Sequence, residues 1–288
     1  MPYKTLLFYI ILILLAIIIL SLFQTYLATH PPKIPNDRTP ADLDFKYEDI
    51  TLVTEDSIKL SAWYIPSKIK TNKSIILAHG HPFNKANILG FAPFLHEKYN
   101  LLFFDFRAMG DSSGSFISGG YYEQKDLRAA INYLKKEKNA SKIGALGISM
   151  GASVIILEAA NNPDIYAIVA DSSYKDLHSI ANDLYSPLFI FKYPFIFFSE
   201  LFAKLIYDID IKETSPVNKV KEVKIPIFII HGDIDDQIPV EASKAIYENA
   251  NQPKELWIAK NTNHVQAHSE YKQEYETRVL EFFDKYLK

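Results

Sequence analysis

The apolar and polar positions of this chain fall into three regimes. Residues 6–23 form an uncharged, almost wholly apolar run, residues 30–44 are polar and carry four prolines, and from residue 45 onward short apolar runs alternate with amphipathic stretches. In the third regime the β-rich runs 47–53 and 58–65 flank Glu55-Asp56-Ser57 and predict a hairpin, although the favoured Asp-Gly is missing. Buried strands are then predicted at 74–78, 101–106, 142–148, 167–171, 225–230 and 255–259, and helices at 85–98, 123–138, 152–160, 240–250 and 271–286. Continuous apolar strands alternating with helices predict an α/β domain. Its mostly parallel central sheet is covered by helices on both faces, with ligands at the carboxyl ends of the strands.

The run 6–23, with its flanks, matches the ~30 Å core of a bilayer at about 1.5 Å per residue, and Tyr3 and Tyr26 stand where interfacial aromatic residues belong. The chain therefore divides into an N-terminal membrane anchor at 1–29 carrying one transmembrane helix, a Pro-rich linker at 30–44 and a folded domain at 45–288. A cleaved secretory signal is the competing reading. Against it, the run is longer than the usual apolar region of a signal, and Tyr26 sits where a small residue should precede a cut after Ala28. Lys4 lies on one side of the span, Lys33 and Arg38 on the other, so charge leaves the orientation open, with an extracytoplasmic domain slightly favoured.

Composition removes several function classes. With no cysteine there is no thiol nucleophile, disulfide framework or cysteine metal site. The net charge is −3, and residues 1–28 hold one Lys and no acid, so the remainder has 30 basic against 34 acidic residues, or −4. That is no nucleic-acid surface. No ligand cluster has metal-site spacing, and neither a metal nor an organic cofactor is expected.

The chemistry gathers at predicted strand ends. Gly147-Ile148-Ser149-Met150-Gly151 is a G-x-S-x-G match between an apolar strand and an apolar helix. Such a junction forces a sharply turned backbone that lifts the serine hydroxyl clear of the sheet, and glycines on either side remove Cβ atoms that would collide. Ser149 is thus a candidate nucleophile. The other strand ends carry His79-Gly80-His81-Pro82, Asp105-Phe106-Arg107 with a Gly-rich loop through Gly114, the stretch from His231 to Pro239, and Asn261-Thr262-Asn263-His264. Three of these ends supply a hydroxyl, a carboxylate and an imidazole, in the order Ser, Asp, His.

Taken together, the H-G-x-P, D-x-R-x-x-G-x-S-x-G, G-x-S-x-G and H-G-x-x-D-x-x-[IV]-P stretches and the late His resemble an α/β-hydrolase over residues 45–288. The likeness is greatest to membrane-anchored serine hydrolases grouped with acyl esterases, thioesterases and serine aminopeptidase-like proteins. The resemblance implies Ser149 as nucleophile, His264 as general base and Asp235 as the acid that orients it, with the backbone N–H groups of His81 and Met150 forming the oxyanion hole. A serine needs a base poised near neutrality, and that base needs a carboxylate to fix its tautomer. Asp233, Asp236 and Asp171 are rival acids, and His268, a turn later, is the rival base. His79, His231, Asp105 and Arg107 read as loop-ordering residues. Ala108 departs from the family pattern where Gly is usual, and Asn261–Asn263 replace a Gly often found before the His.

The segment 172–215 lies outside the strand–helix alternation. Its stretch 184–207, dense in aromatic and aliphatic residues and broken by Pro187 and Pro194, reads as a cap insertion that lines an apolar pocket or rests on a membrane. The expected substrate is accordingly a small-molecule or lipid-like acyl ester or thioester. An aminopeptidase-like enzyme, with Asp183 or Glu200 holding a substrate amine, and a non-catalytic interaction protein on the same scaffold are the alternatives.

Overall fold

The computed structural model describes residues 3–288. Helix α1 (Tyr3–Thr29) is apolar and mostly exposed over residues 6–20, and its buried residues are Ser21, Thr25 and Thr29, spaced one turn apart. Residues 30–44 follow as irregular backbone with a 3-10 turn at Pro40–Leu43. They lie along the domain: Asn84 Nδ2 donates to the carbonyls of Ile34 (3.0 Å) and Pro35 (3.1 Å), Lys33 Nζ to Ser112 O (2.6 Å), and Arg38 Nε to Ala86 O (3.1 Å). A proline-rich strip has carbonyls without matching N–H groups, and side-chain donors from the neighbouring loops supply its partners.

The hairpin β1 (Glu48–Val53) and β2 (Lys59–Ile65) opens an eight-stranded sheet completed by β3 (Lys73–Ala78), β4 (Asn100–Phe104), β5 (Lys142–Ile148), β6 (Ile165–Asp171), β7 (Ile227–Gly232) and β8 (Lys254–Ala259). The spatial order is β1-β2-β4-β3-β5-β6-β7-β8. β1 to β4 are joined antiparallel through β2, and every later pair is parallel. The helices are α2 (Ala92–Leu95), α3 (Glu123–Lys136), α4 (Met150–Ala159), α5 (Leu177–Leu184), α6 (Lys192–Tyr207), α7 (Pro216–Lys219), α8 (Glu241–Asn249), α9 (Ala267–Glu270) and α10 (Lys272–Tyr286).

Alternate strand residues feed two cores. Ile76, Leu102 and Ala145 pack with Leu127 and Ile131 of α3 and Ile155 of α4, whereas Ile75, Leu77 and Phe103 pack with Phe91 and with Val279 and Phe282 of α10. All ten residues of α4 are buried, which is why it shows no apolar stripe.

Some elements differ from expectation: the strand expected at 225–230 is β7 at Ile227–Gly232, which takes in His231, and α3 stops at Lys136. The helix expected at 85–98 is a 3-10 stretch, Lys85–Phe91, followed by the single turn of α2. Gly90 and Pro93 interrupt it, and Pro93 is tolerated because it falls in the first turn of α2. β4 ends at Phe104, so Asp105 leaves the sheet and forms a buried ion pair with Lys85 Nζ at 2.6 Å.

Ala108, where the family pattern has Gly, keeps the left-handed backbone at φ 57 and is buried. Relief of this strain should exceed the entropy cost of glycine. Ala108→Gly is expected to raise the stability by about 0.5–1 kcal/mol, read as a higher urea midpoint at constant m-value.

Candidate active site

Strand register brings the chemistry level. Ala78 pairs with Gly147, Ile148 with Asp171, and Asp171 with Ile230, so the loops after β3, β5, β6 and β7 leave the sheet side by side. Ser149 stands between β5 and α4 at φ 52, ψ −121, a strained backbone for a residue with a Cβ. Its N–H is tied to Asp171 O at 2.8 Å. A Cβ at Gly147 would lie 2.4 Å from Gly151 O, and one at Gly151 would lie 2.2 Å from Ala78 O. The junction closes only because both are absent.

Ser149 Oγ lies 2.9 Å from His264 Nε2, and His264 Nδ1 lies 2.7 Å from Asp235 Oδ2. A carboxylate only accepts, so Nδ1 of His264 carries the proton and Nε2 is left to accept from the serine hydroxyl. The Asp235 side chain is fully enclosed. Its Oδ1 accepts from the N–H groups of Gln237 (2.9 Å) and Ile238 (2.8 Å). Burial works against its charge, but bonds from His231, His264 and the Ile238 amide outweigh it and hold the carboxyl well below the usual range.

Two supporting residues had not been given these roles from the sequence. His231 Nε2 sits 2.9 Å from Ile238 O and 3.2 Å from Asp235 Oδ2, both acceptors, while Nδ1 faces Ser243 Oγ at 2.6 Å. His231 therefore braces the acid as well as its loop. Asn263 Oδ1 accepts from His264 N (2.6 Å) and Asp236 N (3.0 Å), tying the imidazole loop to the carboxylate loop. These loops converge closely enough that a Cβ at Gly232 would lie 2.1 Å from Thr262 O. Val265, directly after the imidazole, takes φ 58, a rare backbone for a β-branched residue.

His81 and Met150 border the same cavity as Ser149 and His264. Met150 is the first residue of α4, where a backbone N–H has no intrahelical acceptor. The loop before His81 runs against Ser149: a Cβ at Gly80 would lie 3.0 Å from Ser149 Cβ.

The rivals lie elsewhere. Asp171 accepts from Ser172 Oγ (2.9 Å) and Tyr275 OH (3.1 Å), and burial raises its carboxyl to about 6. Asp233 and Asp236 are exposed. His268 stacks on Phe91 and faces Glu276 at 3.2 Å, and burial lowers its imidazole. His79 accepts from Phe106 N at 3.0 Å, and Arg107 binds Asp126 and Asp56, so both order loops.

The serine opens into a cavity of about 440 Å³. Its walls include Ile117, Leu177, Ile180, Leu184 and Ile238, with Glu200 from the cap and Gln24, Thr25, Ala28 and Thr29 from α1. Glu200 is the candidate amine-binding acid that borders the cavity, and its carboxylate is bound to His178 Nδ1 at 2.5 Å. Asp183 is not part of the cavity wall.

Residues 115–288 match the prolyl oligopeptidase family and residues 33–186 the X-Pro dipeptidyl-peptidase (S15) family. The esterase Pf2001 of Pyrococcus furiosus superposes with a TM-score of 0.75 at 32% identity, over 91% of this chain and 99% of that one. The chain belongs to the α/β-hydrolase superfamily of serine hydrolases. This hydrolase is also 32% identical over 221 residues to the uncharacterized protein YqkD of Bacillus subtilis, covering 74% of this chain and 72% of YqkD. The alpha/beta hydrolase domain-containing protein WAV2 of Arabidopsis thaliana is 26% identical over 223 residues, covering 74% of this chain and 69% of WAV2. The α/β-hydrolase fold expected from the sequence motifs is thus the fold the hydrolase has.

Proposed function

We propose that this hydrolase cleaves carboxylic esters or thioesters of acyl or other apolar groups through Ser149, His264 and Asp235. The observation that carries the reading is the continuous hydrogen-bond chain from Ser149 Oγ through His264 to Asp235, opening on an apolar cavity. Ser149 Oγ attacks the carbonyl carbon as its proton passes to His264 Nε2, and the oxyanion is held by the N–H groups of Met150 and His81. The C–O or C–S bond breaks, the leaving alcohol or thiol takes the proton from His264, and the acyl group stays on Ser149. Water then adds with His264 as base, releasing the carboxylic acid and restoring the serine.

Residues 1–29 are read as a retained anchor, 30–44 as a docked linker and 45–288 as the hydrolase domain with its cap at 172–215. The helix α1 is long and apolar enough to cross a membrane. Its last turns pack on the cap and border the cavity, so removing them would open the site.

A peptidase reading is the alternative, favoured by the two peptidase families matched and by Glu200 at the cavity wall. A panel of p-nitrophenyl acyl esters and thioesters set against aminoacyl p-nitroanilides separates the two. The full chain is expected to favour the acyl substrates at least 100-fold in kcat/KM, and a preference for the anilides would replace the ester reading with the peptidase one.

A further inference from the structure

The cavity wall is partly built by the helix that carries the apolar span. Thr25 Oγ1 of α1 reaches Ser199 O of α6 at 3.5 Å, and the rings of His30 and Tyr207 stand 5.8 Å apart. Moving forward along α1 therefore means moving forward along α6, so the two helices run in the same direction. Lys192, at the start of α6, lies seven residues before Ser199, about 10 Å back along the axis, level with about residue 18 of α1. That is inside the apolar run, roughly 8 Å short of its end at Phe23.

The turn that feeds α6 is apolar and uncovered at this level. Phe189 is 79% exposed, Ile190 71%, Phe191 69% and Tyr193 65%. Such exposure of neighbouring large apolar groups marks a contact surface. What covers it follows from its neighbour: a bilayer that surrounds residues 6–23 of α1 also reaches the cap tip, at the ~5–10 Å depth to which interfacial apolar groups sink. Gln24, Thr25, Ala28 and Thr29, which border the cavity, begin where the apolar run ends. The cavity therefore starts at the membrane boundary.

From this juxtaposition we infer that the cap tip is seated in the bilayer and that the substrate is an acyl lipid of that same membrane, whose chain passes along α1 into the cavity beside Ser149. The inference rests on the ester-hydrolase reading for the bond that is cut. The lipid's chain exchanges one apolar environment for another, so its transfer carries little hydrophobic penalty.

The absence of cysteine allows a direct test in the full chain reconstituted into phosphatidylcholine–phosphatidylglycerol vesicles. An environment-sensitive fluorophore on Ile190→Cys is expected to be quenched by acyl-chain nitroxide lipids at least three-fold more than one on Ile69→Cys, which lies at the opposite end of the sheet. Equal quenching overturns the inference. Separately, the exposed double variant Phe189→Asp, Ile190→Asp is expected to lower hydrolysis of a fluorogenic monoacylglycerol ester in the vesicles at least ten-fold relative to hydrolysis of soluble p-nitrophenyl butyrate. An unchanged ratio contradicts it. If the wild type cleaves butyrate but not the vesicle ester, the lipid inference alone falls, whereas cleavage of neither substrate removes the ester-hydrolase reading as well.

Discussion

Ser149→Ala is expected to lower kcat for acyl-ester hydrolysis by roughly 10⁵–10⁶, leaving only what binding and the oxyanion donors supply. The loss is that large because in the proposed mechanism the hydroxyl is the attacking atom, and no other serine hydroxyl stands against His264 Nε2 among the described residues. The fold should survive. Alanine keeps the Cβ that faces Gly80, the backbone N–H still reaches Asp171 O, and the strained φ of 52 is no worse for alanine than for serine. Steady-state rates on p-nitrophenyl butyrate, taken with an unshifted thermal midpoint, check both halves. A loss of less than ten-fold would remove Ser149 from the chemistry.

Asp235→Asn is expected to cost roughly 10⁴ in kcat through a change of tautomer rather than of shape. The carboxylate accepts from His264 Nδ1, from His231 and from the amides of Gln237 and Ile238. An amide in its place has one accepting oxygen. If that oxygen stays on the two backbone donors, its NH₂ faces His264 and forces Nδ1 to accept, which places the proton on Nε2 and leaves nothing to take the proton of Ser149. Asp171→Asn serves as the comparison: its hydrogen bonds run to Ser172 and Tyr275 rather than to His264, and its effect on kcat is expected to stay within ten-fold. If the two variants exchanged magnitudes, the orienting acid would be Asp171.

The frame of the hydrolase was legible because its signals are local. A short apolar run such as 142–148, ending at a glycine-flanked turn, suits a buried strand, and Gly147 and Gly151 flag a junction whose tightness the structure bears out in contacts of 2.4 and 2.2 Å for an added Cβ. Ser149, Asp235 and His264 stood out because they follow the predicted strands that became β5, β7 and β8 within recognisable family motifs, and the structure brings their side chains within hydrogen-bond distance. Supporting contacts were harder to see. His231 reaches Asp235 only because the loop after β7 folds back, and Asn263 joins two loops that are separate in sequence. The buried Lys85 is paired with an Asp105 that the expected longer β4 would have kept in the sheet. In the cap, Pro187 and Pro194 read as interruptions, yet Pro194 falls in the first turn of α6, where a missing N–H costs no helical bond. The docking of α1 on that cap had one signal: Ser21, Thr25 and Thr29 recur every fourth residue along the C-terminal turns of a largely apolar helix, a spacing that marks one packed face.

The most direct measurement is the mass of the full-length hydrolase after reaction with a fluorophosphonate, followed by peptide mapping. A phosphonate adduct confined to the peptide carrying Ser149, and absent from Ser149→Ala, is the expected result. A well-folded wild type that takes no adduct, or an adduct that persists on another residue in Ser149→Ala, would contradict the nucleophile assigned to Ser149 and with it the proposed mechanism.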